Sequence, residues 1–243
     1  MKTSNKWLLA ALLLLLTSLT AFNMGLRQEY ARGAYKDPLR NTTALSFRNF
    51  EEVAVPAAGA VSVQIVAGPF GVRVSDKAAE YVRVSQQGGR LVVALAFPQE
   101  VKYLGRGPHV TISCPALTRV SADAEYLLAG KPTTDREERR GGSLRVQGFR
   151  QDTLLVRQNH ATLVELADNQ LAYLGTDAGQ SPGSTPVLRI EKSNRIQAAD
   201  LRVQTRGELQ LEAGGIGRLG TQLGDSVKVT LTGAGLRSLG QRP

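Results

Sequence analysis

The stretch LRIEKSNRIQAADLRVQTRGELQLEAGGIGRLGTQLGDSVKVTLTGAGL, residues 188–236, decides the fold. Within it Ser193-Asn194-Arg195-Ile196, Ala213-Gly214-Gly215-Ile216 and Gly233-Ala234-Gly235-Leu236 recur at a spacing of 20 residues, each placing small or turn-forming residues before an aliphatic. A second column runs almost in step: Leu144-x-Val146, Leu163-x-Glu165-Leu166, Leu188-x-Ile190, Leu209-x-Leu211 and Val229-x-Leu231. Its spacings are 19, 25, 21 and 20, and the longest contains the loop Gly179-Gln180-Ser181-Pro182-Gly183-Ser184-Thr185-Pro186. A period near 20 built from short strands and Gly turns is the signature of a β-solenoid. One such coil cannot bury its aliphatic face alone, whereas coils stacked at about 4.8 Å pair every backbone with a neighbour around one narrow core. A β-sandwich is the competing fold, but its strands have no reason to keep a 20-residue register.

Upstream, the period is two. Val61-x-Val63-x-Ile65, Val72-x-Val74, Val82-x-Val84, Leu91-x-Val93-x-Leu95-x-Phe97 and Val110-x-Ile112-x-Cys114 alternate between breakers, as strands with one buried face do. No segment after Arg27 carries a helical period of ten residues or more, which argues against doubly wound folds and helix-covered barrels. The expected fold is therefore all-β: a right-handed parallel β-helix or β-solenoid with coils of ~20 residues, preceded by one N-terminal apolar helix.

That helix is WLLAALLLLLTSLTAFNMGL, Trp7 to Leu26, 20 residues without a charge, between Lys2 and Lys6 on one side and Arg27 on the other. It spans roughly 30 Å as a helix, enough to cross a bilayer. It also reads as a signal peptide, with a basic start and the apolar run Leu8 to Leu16, although Ser18 and Thr20 are its nearest small-x-small pair. Residues 1–26 are expected to be a signal-anchor or signal peptide, 27–49 a juxtamembrane stalk and 50–243 the β domain. The domain is expected to be exported: membrane-anchored in the cell envelope, or periplasmic or secreted if the N-terminus is cleaved. Asn41-Thr42-Thr43 matches a glycosylation triplet, a common pattern that matters only in a eukaryotic secretory route.

Composition supports this architecture. Among 243 residues there are 25 Gly, 10 Pro and only 5% aromatics, as narrow coils with tight corners demand. The single Cys114 excludes an intramolecular disulfide, and with two His it cannot fill a zinc site of the Cys/His type. The net charge is +9, but its 22 Arg and 8 Lys are scattered singly. The densest run, Asp135-Arg136-Glu137-Glu138-Arg139-Arg140, is of mixed sign and reads as an exposed loop. No nucleic acid is expected as a partner. An anionic surface polymer or envelope protein is, and Arg189, Arg202 and Arg218 outside the core would form a basic stripe if they share one face.

Candidate chemistry is thin. Gly215-Ile216-Gly217-Arg218-Leu219-Gly220 matches GxGxxG, but a dinucleotide site needs a helix there, and a further strand, Val227 to Leu231, follows instead. His109 and His160 lack a Ser in a nucleophile elbow. Cys114 shares a buried face with Val110 and Ile112. Acids occur singly, without a calcium-loop spacing. No catalytic, cofactor or metal residues are expected.

The order of elements adds a resemblance. Phe50-Glu51-Glu52-Val53-Ala54-Val55, then Val61 to Gly68, Phe70-Gly71-Val72-Arg73-Val74, Gly89-Arg90-Leu91-Val92-Val93, Val110 to Leu117 and the Gly-rich coils together resemble the bacterial putative auto-transporter adhesin family with a head GIN domain. The resemblance covers most of Phe50 to Gly240. It implies a β-helical, non-enzymatic envelope domain that binds or scaffolds. A polysaccharide-active β-helix enzyme and an envelope sensor acting with a signalling partner are the alternative functions.

Overall fold

In the computed structural model the described residues are 3–33, 41–105, 107–212 and 215–233. The turn columns at Ala213-Gly214 and from Ala234 onward lie outside them, as do 34–40 of the expected stalk. Two compact units divide the chain, 1–42 and 43–243.

The first unit is helix α1 (Thr3–Arg32). Its Leu- and Ala-rich sequence favours helix. Thr17 and Thr20 return their hydroxyls to the carbonyls of Leu13, Leu14 and Leu16, so they carry no unpaired donor. Gly33 ends the helix at a φ of 65°, its N–H on the Tyr30 carbonyl, a left-handed C-cap that glycine adopts without steric cost.

The second unit is built of strands: β1 (Thr42–Leu45), β2 (Glu52–Val55), β3 (Ser62–Ala67), β4 (Gly71–Ser75), β5 (Val82–Gln87), β6 (Arg90–Phe97), β7 (Val110–Cys114), β8 (Arg119–Ala122), β9 (Glu125–Leu128), β10 (Lys131–Thr134), β11 (Ser143–Gln147), β12 (Arg150–Gln158), β13 (Leu163–Ala167), β14 (Gln170–Ala178), β15 (Val187–Ile190), β16 (Arg195–Val203), β17 (Glu208–Leu211), β18 (Ile216–Leu223) and β19 (Lys228–Leu231). One sheet of nine runs β1-β4-β7-β3-β11-β13-β15-β17-β19; another of ten runs β10-β9-β6-β2-β8-β12-β14-β16-β18, with β5 on β6.

The sheets are mixed. From β11 onward the chain alternates a short strand in the first sheet with a long one in the second, all in parallel. Leu144, Val164, Leu188, Leu209 and Val229 are successive partners, offset by 20, 24, 21 and 20 residues. Leu154, Leu174, Ala199 and Leu219 do the same at 20, 25 and 20. The expected column is thus one residue out at its second member: Val164 and Leu166 face inward, while Leu163 pairs with Val187. The extra residues lie in the 179–186 loop. Before β11 the pattern loosens: β4 on β7, β5 on β6 and β10 on β9 are antiparallel.

The core follows this division. The parallel strands from β11 onward bury aliphatic rows such as Leu144, Leu154, Leu166, Leu174, Leu188 and Leu209, all fully buried or nearly so. Aromatic packing concentrates in the earlier part, where Phe97 meets Tyr81 at 5.3 Å and Tyr126 edge-on at 5.9 Å between ring centroids.

Corners between stacked strands leave backbone groups that no ladder satisfies. Asn169 and Asn194, both within 1% of complete burial, fill that role. The Asn169 amide donates to the Val146 carbonyl (3.1 Å) and to Asn194 Oδ1 (3.1 Å), and its oxygen accepts from the Phe149 N–H (3.0 Å). Asn194 donates to the carbonyls of Leu166 (2.6 Å) and Glu191 (2.8 Å). Corner residues at positive φ include His160, Asp168 and Thr205.

His109 also belongs to the frame. Its Nδ1 accepts the Ser62 N–H at 2.9 Å, so the proton sits on Nε2, which faces the Gly105 carbonyl at 3.3 Å. Burial holds its pKa below the usual 6.5.

Two outcomes follow from these contacts. Asn194→Leu strands several buried carbonyls and should cost about 3 kcal/mol, roughly 6–12 °C of melting temperature, with Asn169→Leu sub-additive to it in a double-mutant cycle. Because the folded pKa of His109 is lowered, its contribution is complete above pH 6.5 and is lost as pH falls through the folded value. Thermal melts between pH 7.5 and 5 should show that loss, and His109→Gln should flatten it.

Candidate functional site

The residues singled out by sequence scatter rather than converge. Gly215 to Gly220 enter strand β18 rather than a helix; a Cβ on Gly215 or Gly217 would press against the carbonyl oxygens of Asn194 or Gln197, so these glycines serve close stacking of neighbouring strands. Cys114 is fully buried, and burial pushes its thiol up to about 12, beyond reach of thiolate chemistry at neutral pH. Thr42 and Thr43 lie in β1, and Thr43 donates to Asp76 at 3.2 Å. The 135–140 run is a loop: Arg140 pairs with Asp135 at 2.8 Å, Glu137 pairs with Arg206, and Thr185 donates to the carbonyls of Arg136 and Glu137.

Arg189, Arg202 and Arg218 do not share one face. Arg189 projects from β15 in the nine-stranded sheet, and the other two lie on β16 and β18 in the ten-stranded one. On the first sheet the register lines up Arg145, Glu165, Arg189 and Gln210 on successive strands. Arg189 reaches Glu165 and Gln210, both at 2.7 Å, and Arg145 grips Glu191 with two nitrogens at 2.7 and 3.2 Å. Each such pair contributes little to stability at a surface, but together they satisfy the arginines on that sheet.

Along the ten-stranded sheet, two recesses cross strands β12, β14, β16 and β18. A shallow groove of about 790 Å³ crosses the starts of the long strands. Arg150, Gln170 and Arg195 stand in register along it on β12, β14 and β16, and the two arginines are exposed. With one strand between them, their backbones are about 10 Å apart. Neither guanidinium has a hydrogen-bond or ion-pair partner among the described residues.

The second recess, about 490 Å³, lies further along the same strands. In-register Gly175, Asp200 and Gly220 form its floor. A Cβ on Gly175 would come within 2.8 Å of the Leu155 side chain, and one on Gly220 would run into Asp200, so the trough exists because both positions lack side chains. Tyr173 donates its hydroxyl to Asp200 Oδ2 at 3.0 Å, a bond that raises the phenol pKa. Arg157, Asp177, Arg202 and Gln222 form the adjoining row, with Arg202 on Gln222 at 2.8 Å. A phenol, two carboxylates and two guanidiniums on a rigid sheet make a surface that hydrogen-bonds hydroxyl groups and carboxylates.

Neither recess was predicted from sequence. Their signal is the strand register itself: once Leu155, Gly175, Asp200 and Gly220 are stacked, the small–acid–small column is evident. His160 also gains a partner that sequence did not supply. Its Nδ1 meets Asp123, while Ser184 Oγ, fully buried, accepts the His160 backbone N–H and donates to Asn159 instead of facing the ring.

No family model matches the chain, and no curated protein matches it. Solved structures that resemble it include a putative adhesin from Parabacteroides distasonis ATCC 8503, at 11% identity over 78% of this chain and 71% of that one, TM-score 0.48. A putative adhesin from Bacteroides fragilis NCTC 9343 aligns at 11% identity over 78% and 94%, TM-score 0.42. A putative lipid binding protein from Parabacteroides distasonis aligns at 12% identity over 80% and 94%, TM-score 0.33.

Proposed function

We propose that this chain is a non-enzymatic cell-envelope protein: an adhesin-like β-solenoid of the head GIN type, held at a membrane by α1, whose ten-stranded sheet binds an acidic polysaccharide. The observation that carries the proposal is the helix. Within Ser4–Ala31 an 18-residue window has a mean hydropathy of 1.9 and none of it is buried, with nine leucines between Leu8 and Leu26 at least 50% exposed. At about 1.5–3 kcal/mol per leucine, leaving them in water forfeits on the order of 20 kcal/mol, which a bilayer recovers. The β domain needs no such cover, because it has its own core.

The ligand class follows from the outer face of the ten-stranded sheet. Arg150 and Arg195 suit carboxylates spaced along an extended polymer. The trough of Tyr173, Asp200 and Arg157, where opposite charges nearly cancel, suits its hydroxyls. A stiff sheet loses little entropy on binding such a chain.

Two measurements test this reading. With the full chain expressed in a Gram-negative host, protease should digest the β domain once the outer membrane is opened; protection that persists until the inner membrane is lysed would place the domain in the cytoplasm and overturn the proposal. The detergent-solubilised full chain should bind polygalacturonate but not dextran, more weakly as salt rises. The double variant Arg150→Ala/Arg195→Ala should lose at least tenfold and Gly220→Val should block the trough. Equal binding by all variants, or chain shortening of the polymer, would refute it.

A further inference from the structure

Two corners of the β domain bring together metal-ligating side chains that the polysaccharide face does not use. Asp123 follows β8, Glu125 opens β9, and His160 turns the corner between β12 and β13. A carboxylate oxygen from each acid and a ring nitrogen of His160 all lie within 4.8 Å of one another. We propose that Asp123, Glu125 and His160 form a binding site for a divalent transition-metal cation such as Zn2+.

The three ligands arrive differently. His160 is held in the left-handed region at a φ of 49°, which only a small share of non-glycine residues adopt, and its ring is only 9% exposed. Its backbone is anchored to Ser184 Oγ at 3.2 Å, and Asn159 beside it is tied to Ser181 and Ser184. The imidazole is therefore positioned by the corner rather than free to swing. Asp123 meets its Nδ1 and also accepts the Ala124 N–H at 2.8 Å. Glu125 is exposed, and its carboxylate has no hydrogen-bond or ion-pair partner among the described residues, although a second carboxylate stands beside it. Two like charges so placed repel unless a cation lies between them.

A second observation is independent of these ligands. Asp123 and Glu125 line a recess of about 330 Å³ whose floor includes Gln158, only 3% exposed. Neither the amide nitrogen nor the oxygen of Gln158 has a partner, and one buried oxygen of Asp177, in the same recess, is also unpaired. Buried amides are almost always hydrogen-bonded, so these unpaired atoms mark the recess as one that suits a polar ligand. A cation held by three protein ligands keeps a position for water, and that water can serve such groups.

The donor set selects the ion. One imidazole nitrogen with two carboxylates suits first-row divalent ions, whereas Ca2+ and Mg2+ favour all-oxygen shells. Tetrahedral ligands around Zn2+ are about 3.4 Å apart, so the ion takes the place of the His160–Asp123 contact, parting those two atoms while drawing in the remaining carboxylate. Bound there, the ion ties the β8–β9 corner, in the mixed part of the sheets, to the β12–β13 corner of the parallel part.

The test uses the full chain in detergent, stripped with chelator, and Zn2+ alone. Calorimetry should report one equivalent bound, and the melting temperature should rise by about 5 °C or more at a hundredfold excess over Kd. Ca2+ at the same concentration should leave it unchanged. Glu125→Gln, which disturbs no other contact, should keep the circular dichroism spectrum and weaken Zn2+ at least tenfold; His160→Gln should abolish binding. No Zn2+ uptake by the wild type, unchanged uptake by Glu125→Gln, or an equal response to Ca2+ would each overturn the site, leaving the cluster as a histidine held between two carboxylates.

Discussion

The β domain from β11 onward depends on one constraint: the backbone of each strand must be satisfied by the strand before it and the strand after it in its sheet. Parallel ladders accomplish this along the strands, where Leu154, Leu174, Ala199 and Leu219 keep strict register. They fail at corners, where the chain changes sheet. Buried Asn169 and Asn194 take over there: Asn169 donates back to the Val146 carbonyl and forward to Asn194, which donates back to the Leu166 carbonyl and to that of Glu191 beside it. Because pairing is fixed at both ends of a strand, added length is taken up in the loop 179–186, which packs back on Asn159 and the 136–137 carbonyls without shifting any partner.

The same constraint dictates the outer faces. Register stacks residues of equivalent position into columns, so a column's chemistry is set by one residue type repeated or alternated. On the nine-stranded sheet the column Arg145, Glu165, Arg189 and Gln210 alternates charge and closes on itself. On the ten-stranded sheet the column Gly175, Asp200 and Gly220 alternates absence and presence of a side chain, and a trough results. One repeat thus yields a sealed face and a receptive one.

Much of this was legible in sequence, and the losses have physical causes. The 20-residue spacing from Ile196 to Ile216 is a real pairing, and Cys114 is buried with Val110 and Ile112 as its alternation implies. The slip at Leu163 arose because Leu163 and Val164 are both aliphatic, and only the strand's inward direction distinguishes them. The antiparallel pairs at β4, β5 and β10 were invisible because alternation reports which face is buried and not which strand lies alongside. Asp123, Glu125 and His160 could not be linked beforehand: the corners that carry them are some 35 residues apart, and nothing local records that β8 and β12 are neighbours.

The positive charge can now be located. The arginines that sequence proposed as a stripe are divided between sheets, and Arg189 is neutralised by Glu165. Arg119, Arg140 and Arg206 are likewise paired with Glu52, Asp135 and Glu137. Arg150, Arg157, Arg195 and Arg218 have no hydrogen-bond or ion-pair partner among the described residues, and all four belong to β12, β16 and β18 of the ten-stranded sheet. Three of them, Arg150, Arg195 and Arg157, line the two recesses described above. Because strand pairing fixes the backbones that carry them, these arginines keep set positions relative to one another, as a cluster of lysines on mobile segments does not.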